Sequence, residues 1–334
     1  MAERNSVNQK LQIGIETTHG TAVAANRRID AFDIAFGVET EINNYRPTGR
    51  KYSEVQELNR EWASGSLSGN MDYNAVVYPL SGAFGAATIG AHGTSATAKD
   101  WVFDAILSGN ASPKTYTFEQ GDSVRAHKFA YGLFTKWGYK FDRKDATMSG
   151  DLICQKISDA ITLTTTPTII PQVPMPASNF SVYLDSTSGG LGVTKFTRFI
   201  SGEFGFAGLY NPAWFVDRAQ ASFTTHSDLA PATTFKVMLE ADAQGMALMD
   251  TMRLGSTWFL RVEAQGAQIA SDGGGATDPI YDGFIHDMAI KVGKPDKFSD
   301  SDGIFAIGYE FTIVEDATWG HSHMLTATNL LTAL

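Results

Sequence analysis

The chain has one cysteine, Cys154, in 334 residues. A single thiol makes no intramolecular disulfide and supplies no cysteine-rich metal site. It lies in the apolar run Leu152-Ile-Cys-Gln, which marks it as a small buried hydrophobe rather than a reactive group. No stretch of about 18 apolar residues occurs, so no transmembrane helix and no membrane insertion of this chain is expected. The opening MAERNSVNQK is polar with no apolar segment behind it, unlike a secretory signal. Cations are in the minority: 26 Lys and Arg face 36 Asp and Glu, for a net charge of -10. No basic run exceeds a pair (Arg27-Arg28, Arg50-Lys51), whereas nucleic-acid binders cluster cations against phosphates. An acidic balance repels DNA.

Interpretable chemistry is also missing. No Gly-x-Ser-x-Gly elbow, P-loop or dinucleotide fingerprint is present, and the Gly-rich stretches Ser188-Gly-Gly and Ser271-Asp-Gly-Gly-Gly-Ala read as turns. His321 and His323 have no acidic or cysteine partner at a metal-binding spacing and read as exposed tail residues. The run from Asp296 to Gly303 superficially resembles a calcium loop. Its twelfth position is Ile307, which offers no side-chain oxygen, and Asp302-Gly303 reads as a hairpin tip instead. No enzyme activity, metal or cofactor is therefore expected.

What the chain does have is period-two alternation. Leu11–Glu16 and Phe32–Phe36 alternate, and strands are predicted throughout at 63–70, 114–119, 133–142, 147–156, 159–165, 181–185, 201–210, 217–225, 233–240, 257–264, 283–292 and 303–314. Helices are predicted at 242–254, capped by Asp242 and ended by Gly255, and at 72–84, with Asp72 at its start, Gly85 after it and Pro79 as a flaw inside. A weaker helix is placed near 324–331. The order of element types repeats at a spacing of 170 residues: Asp72 falls on Asp242 and Gly85 on Gly255. The letters themselves match barely above chance. This order predicts two tandem β domains, 1–160 and 179–334, with a Thr- and Pro-rich extended linker at 161–178; a single large domain is the alternative.

Two excursions occupy corresponding places. The stretch 44–62 carries Tyr45, Arg46, Arg50, Tyr52 and Trp62, and its counterpart at 214–232 carries Trp214 and Phe215. Aromatic and Arg residues in such loops either make protein–protein contacts or cover the ends of the core.

The opening IGIETTHGTAVAA at 13–25 resembles the first strand and turn of long-tailed bacteriophage tail tube proteins. GSLSGNMDYNAVVYPLSGAFGAAT at 65–88 is similar to that family's strand running into a short helix that stops at Gly, and the hairpin at GIFAIGYEFTIVED fits as well. The resemblance implies a β-sandwich or barrel with short flanking helices. It implies homo-oligomeric rings stacked into a tube in the virion tail, assembled in the host cytoplasm, with DNA passing through the lumen and with the tape measure and terminator as further partners. Two tube-like domains per chain imply a trimeric, pseudo-hexameric ring rather than a hexamer. The tail 317–334, with Trp319 and Leu325, joins the two excursions as an inter-subunit contact candidate. A tail terminator, a capsid decoration protein and a glycan-binding β-sandwich are the competing readings.

Overall fold

The computed structural model describes residues 6–217, 220–272 and 278–334. Residues 273–277 of the Gly-rich stretch expected to turn lie outside them. Strands hold 54% of the chain and helices 9%, a mainly β fold as the alternation predicts.

The first half contains β1 (Lys10–Ile15), β2 (Arg27–Arg28), β3 (Phe32–Tyr45), β4 (Val55–Asn70), α1 (Val77–Phe84), β5 (Thr88–Ala91), β6 (Lys99–Asp104), β7 (Tyr116–Gly121), β8 (Ala126–Phe141), β9 (Ala146–Cys154) and β10 (Ser158–Ile161). After β11 (Thr168–Ile169) come β12 (Phe180–Asp185), β13 (Phe199–Ala207), β14 (Tyr210–Ala213), β15 (Thr225–Asp228), β16 (Ala232–Glu240) and α2 (Ala243–Leu254). The chain finishes with β17 (Thr257–Ser271), β18 (Pro279–Pro295), β19 (Ser299–Ser301), β20 (Ile304–Ile313) and β21 (His323–Asn329).

The two halves pair their strands in the same order. The first runs β1-β7-β8-β9-β4-β3 and the second β12-β17-β18-β20-β16-β13, every neighbour antiparallel. In both, a helix follows the strand next to last in that order. The long strands β8 and β18 pass from one layer to the other: β8 pairs with β7 through 126–132 and with β9 through 133–141.

One antiparallel pairing fuses the halves. β8 meets β13 from Lys136 opposite Ala207 to Phe141 opposite Gly202. The result is a continuous eight-stranded sheet, β3-β4-β9-β8-β13-β16-β20-β18. The seam needs small residues, because a Cβ on Gly138 would stand 2.4 Å from the Phe204 carbonyl oxygen. Beneath it, Trp137, Tyr139, Phe204 and Phe206 share one hydrophobic core with Phe84 of α1. The 161–178 segment runs extended along the first half, with Ile170 and Met175 buried and Met175 N–H donating to the Met71 carbonyl.

α2 starts and stops where its caps dictate. The Asp242 carboxylate accepts from Gly245 N–H, and Gly255 adopts φ 62, ψ 21. The helix predicted at 72–84 begins later, at Val77. Asp72 instead folds a turn, accepting from the Asn74 and Ala75 amides. Pro79 then falls in the first helical turn, where its missing N–H has no intrahelical partner to lose. The helix predicted near 324–331 does not form. That segment is β21, inserted between β18 and β6, and ladder pairing on both sides outweighs the helix preference of its Met, Leu and Ala residues. The turn at Asp302-Gly303 joins β19 to β20 with both residues at positive φ, 53 and 82, the backbone of a tight hairpin.

Candidate assembly interface

The seam between the halves defines what the two ends of the sheet offer. Among the described residues, β3 is ladder-paired to β4 alone, so its outer edge carries unpaired backbone groups. The Gln120 side-chain amide donates to one of them, the Ile34 carbonyl. At the opposite end, the strand leaving Lys291 pairs with β20 on one side through Asp296 and on to Ser301. Among the described residues its other side has no strand beyond Lys291, where β17 stops. In the first half the corresponding side of β8 is the one that receives β13. The chain thus contains one β8–β13 junction and exposes, at its two ends, the counterparts of both strands that make it. Unpaired edges of this kind are templates for another chain.

The solvent face of this sheet is polar and charge-matched. Lys140, Glu203, Lys236 and Glu310 stand directly opposite one another across β8, β13, β16 and β20. Lys136 pairs similarly with Asp151.

The excursion 44–62 is mostly strand rather than loop. β3 and β4 stay paired to Tyr45 and Val55, and only the turn between them is irregular. β9 accompanies β4 from Asn70 to Ala63; beyond it the two strands form an arm about 25 Å long, which the 221–222 segment meets at Glu61 and which no further strand accompanies among the described residues. Tyr45, Arg46, Arg50 and Tyr52 are all exposed near its tip. Trp62 lies at its base, half-buried, and meets Trp214 edge to face at 5.5 Å, with the Arg60 guanidinium 5.1 Å from the Trp214 ring centre. The two excursions therefore touch within one chain. Phe215 is exposed beside Trp214.

The counterpart excursion, expected at 214–232, belongs to a longer segment, 208–231, whose described residues fold back over the first half. Leu209 N–H donates to the Thr135 carbonyl, the Tyr210 hydroxyl to the Ala83 carbonyl, and Gln155 Nε2 to the Phe223 carbonyl. Ser222 links the Lys156 amide to the Glu61 carbonyl. Leu209, Tyr210 and Phe223 are buried as a result.

The tail behaves differently from expectation. Leu325 is 0% exposed, opposite Phe103 and His286 in the middle of a ladder, and is core rather than contact surface. Trp319 is half-buried against Phe259 and His321. Nor are both histidines exposed: His321 bonds Asp104, whereas His323 is buried with its Nδ1 3.2 Å from His286 Nε2. Burial holds His323 down to about 3, and burial followed by the His323 neighbour holds His286 well below its ordinary value.

Glu16, in the turn after β1, was not singled out. Its buried carboxylate accepts from the Gly20 and Tyr131 amides and the Thr115 and Thr117 hydroxyls, fixing the N-terminal turn to β7 and β8. The Glu-Thr-x-x-Gly spelling was its visible signal. No family model matches the chain, and no curated protein matches it. The architecture is a β-rich, sandwich-like fold.

Proposed function

We propose that this chain is a structural subunit that polymerises through its sheet edges, forming the tail tube of a long-tailed bacteriophage. The observation that carries the reading is the β8–β13 seam together with the two open edges that match it. Copies joined head to tail would repeat that seam, and a closed ring leaves no edge unpaired. Two sheet units per chain favour three copies around a pseudo-sixfold ring. The N-terminal turn and the strand-helix-Gly segment supply the phage resemblance. The paired charges on the sheet's solvent face suit a channel wall over which DNA moves without specific binding. Tape measure and terminator proteins are the further partners of this reading.

Negative-stain microscopy of the purified protein tests it. Rings or tubes of uniform diameter, with six density lobes per ring, are expected. A protein that stays monomeric at every concentration and binds glycans would overturn the reading in favour of a sugar-binding module.

A further inference from the structure

The alternation that buries Phe32 and Ile34 of β3 continues along the arm after the core has ended. Val38 and Ile42 share that face with the Thr40–Glu61 pair between them, and across the ladder Leu58 stands opposite Ile42. Val38, Ile42 and Leu58 are 52%, 48% and 52% exposed. The opposite face carries Glu39, Glu41, Arg60 and Glu57, with Arg60 bonded to Glu41, between Trp62 at the base and the Tyr45–Val55 pair at the tip. An isolated two-stranded ribbon is marginal in water, and this one leaves three large apolar side chains of one face in solvent.

The second half shows what covers such a face. Where β13 leaves its sheet, the apolar residues that continue it, Leu209 and Tyr210, are buried by the neighbouring half. They lie against the last turn of α1 and against β8, and Phe223 of the same segment meets Gln155 just after β9. In the first half Val38, Ile42 and Leu58 stay exposed among the described residues, and the 221–222 segment meets the arm only at its base, at Glu61.

We infer that the apolar face of the β3–β4 arm docks on the second half of another copy of this chain, as the 208–231 segment docks on the first half. The occupant follows from the repeated strand order: the unit beside β3 in a head-to-tail assembly is a second half. The surface met there is the last turn of α2, where Leu254 is 79% exposed, and Glu315-Asp316 after β20, the counterpart of Gln155-Lys156. The inference rests on the self-assembly reading and adds to it a lateral clamp between adjacent subunits.

The experiment compares the parent chain with Ile42→Glu/Leu58→Glu by sedimentation velocity and microscopy, and crosslinks an Ile42→Cys/Leu254→Cys variant. Both substituted arm residues lie outside the core, so the circular dichroism and melting of the monomer should be unchanged. The parent should assemble, the double Glu variant should need at least tenfold more protein to do so, and the cysteine pair should give covalent oligomers. A parent that never assembles sinks the self-assembly reading, and the clamp with it. If the double Glu variant assembles like the parent, or forms single rings that fail only to stack, the lateral clamp alone is wrong.

Discussion

His286 Nε2 and His323 Nδ1 lie 3.2 Å apart, with the Tyr139 hydroxyl 2.9 Å from the other nitrogen of His286. The three side chains tie β8 of the first half to β18 and β21 of the second. Neutral rings can fill this run with one proton per contact; an imidazolium there would be buried and would face a second ring.

The sign of the pH dependence follows. Both histidines titrate lower in the folded chain than the ordinary 6.5, His323 at about 3. Above 6.5 they are neutral in both states and cost nothing. As pH falls through 6.5 toward about 3, the unfolded chain takes up protons that the folded chain refuses. Stability should fall by about 1.4 kcal/mol per pH unit for each ring. Urea midpoints measured between pH 8 and 5 should show it, and His323→Leu should reduce the slope.

Asp282 works in the opposite direction. Burial first, and the Asp72 charge second, push its carboxyl up to about 6. The folded chain therefore binds this proton more readily than the unfolded one, and the group destabilises most above pH 6. Asp282→Asn should raise the melting temperature at pH 8, with the gain shrinking toward pH 4. An equal gain at both pH values would show that charge is not the cause.

Glu16→Ala should be severe. It leaves one buried and one half-buried amide and two buried hydroxyls without this acceptor, which costs about 3–5 kcal/mol. Chemical denaturation would measure this loss. Gln in its place should recover only part, since it offers one acceptor oxygen in place of two.

Trp62 and Arg50 separate fold from assembly. Trp62 packs on Trp214 within the chain, so Trp62→Ala should cost about 2 kcal/mol of monomer stability. Arg50 is exposed on the arm, and Arg50→Glu should leave the melting temperature alone while weakening assembly. A shift in melting with Arg50→Glu would place that residue in an intramolecular contact.

The alternating strands, the caps of α2 and the Asp302-Gly303 hairpin were legible because each depends on neighbours within a few residues. β21 was not, since His323–Asn329 becomes a strand only between β18 and β6, the latter more than 200 positions earlier in the chain. For the same reason Leu325 and His323 read as tail residues when they are core. The outer arm was hidden differently: beyond the strand expected at 32–42, Asn43, Asn44 and the polar run after them look like a loop, although ladder bonds continue to Tyr45 and resume at Val55. Of the contact candidates, the meeting of Trp62 with Trp214 could not be foreseen, because nothing local reveals that the second excursion folds back over the first half.

The β8–β13 seam also bears on how fast such a ring could form. Two sheet units tethered in one chain find each other at the high effective concentration of a linked pair, without the entropy cost of a bimolecular encounter. In a ring of these chains, collision would have to make only every second seam, while the alternate seams come ready from folding. Weak open edges then suffice for closure, and nucleation needs fewer simultaneous partners than a ring of single-unit subunits.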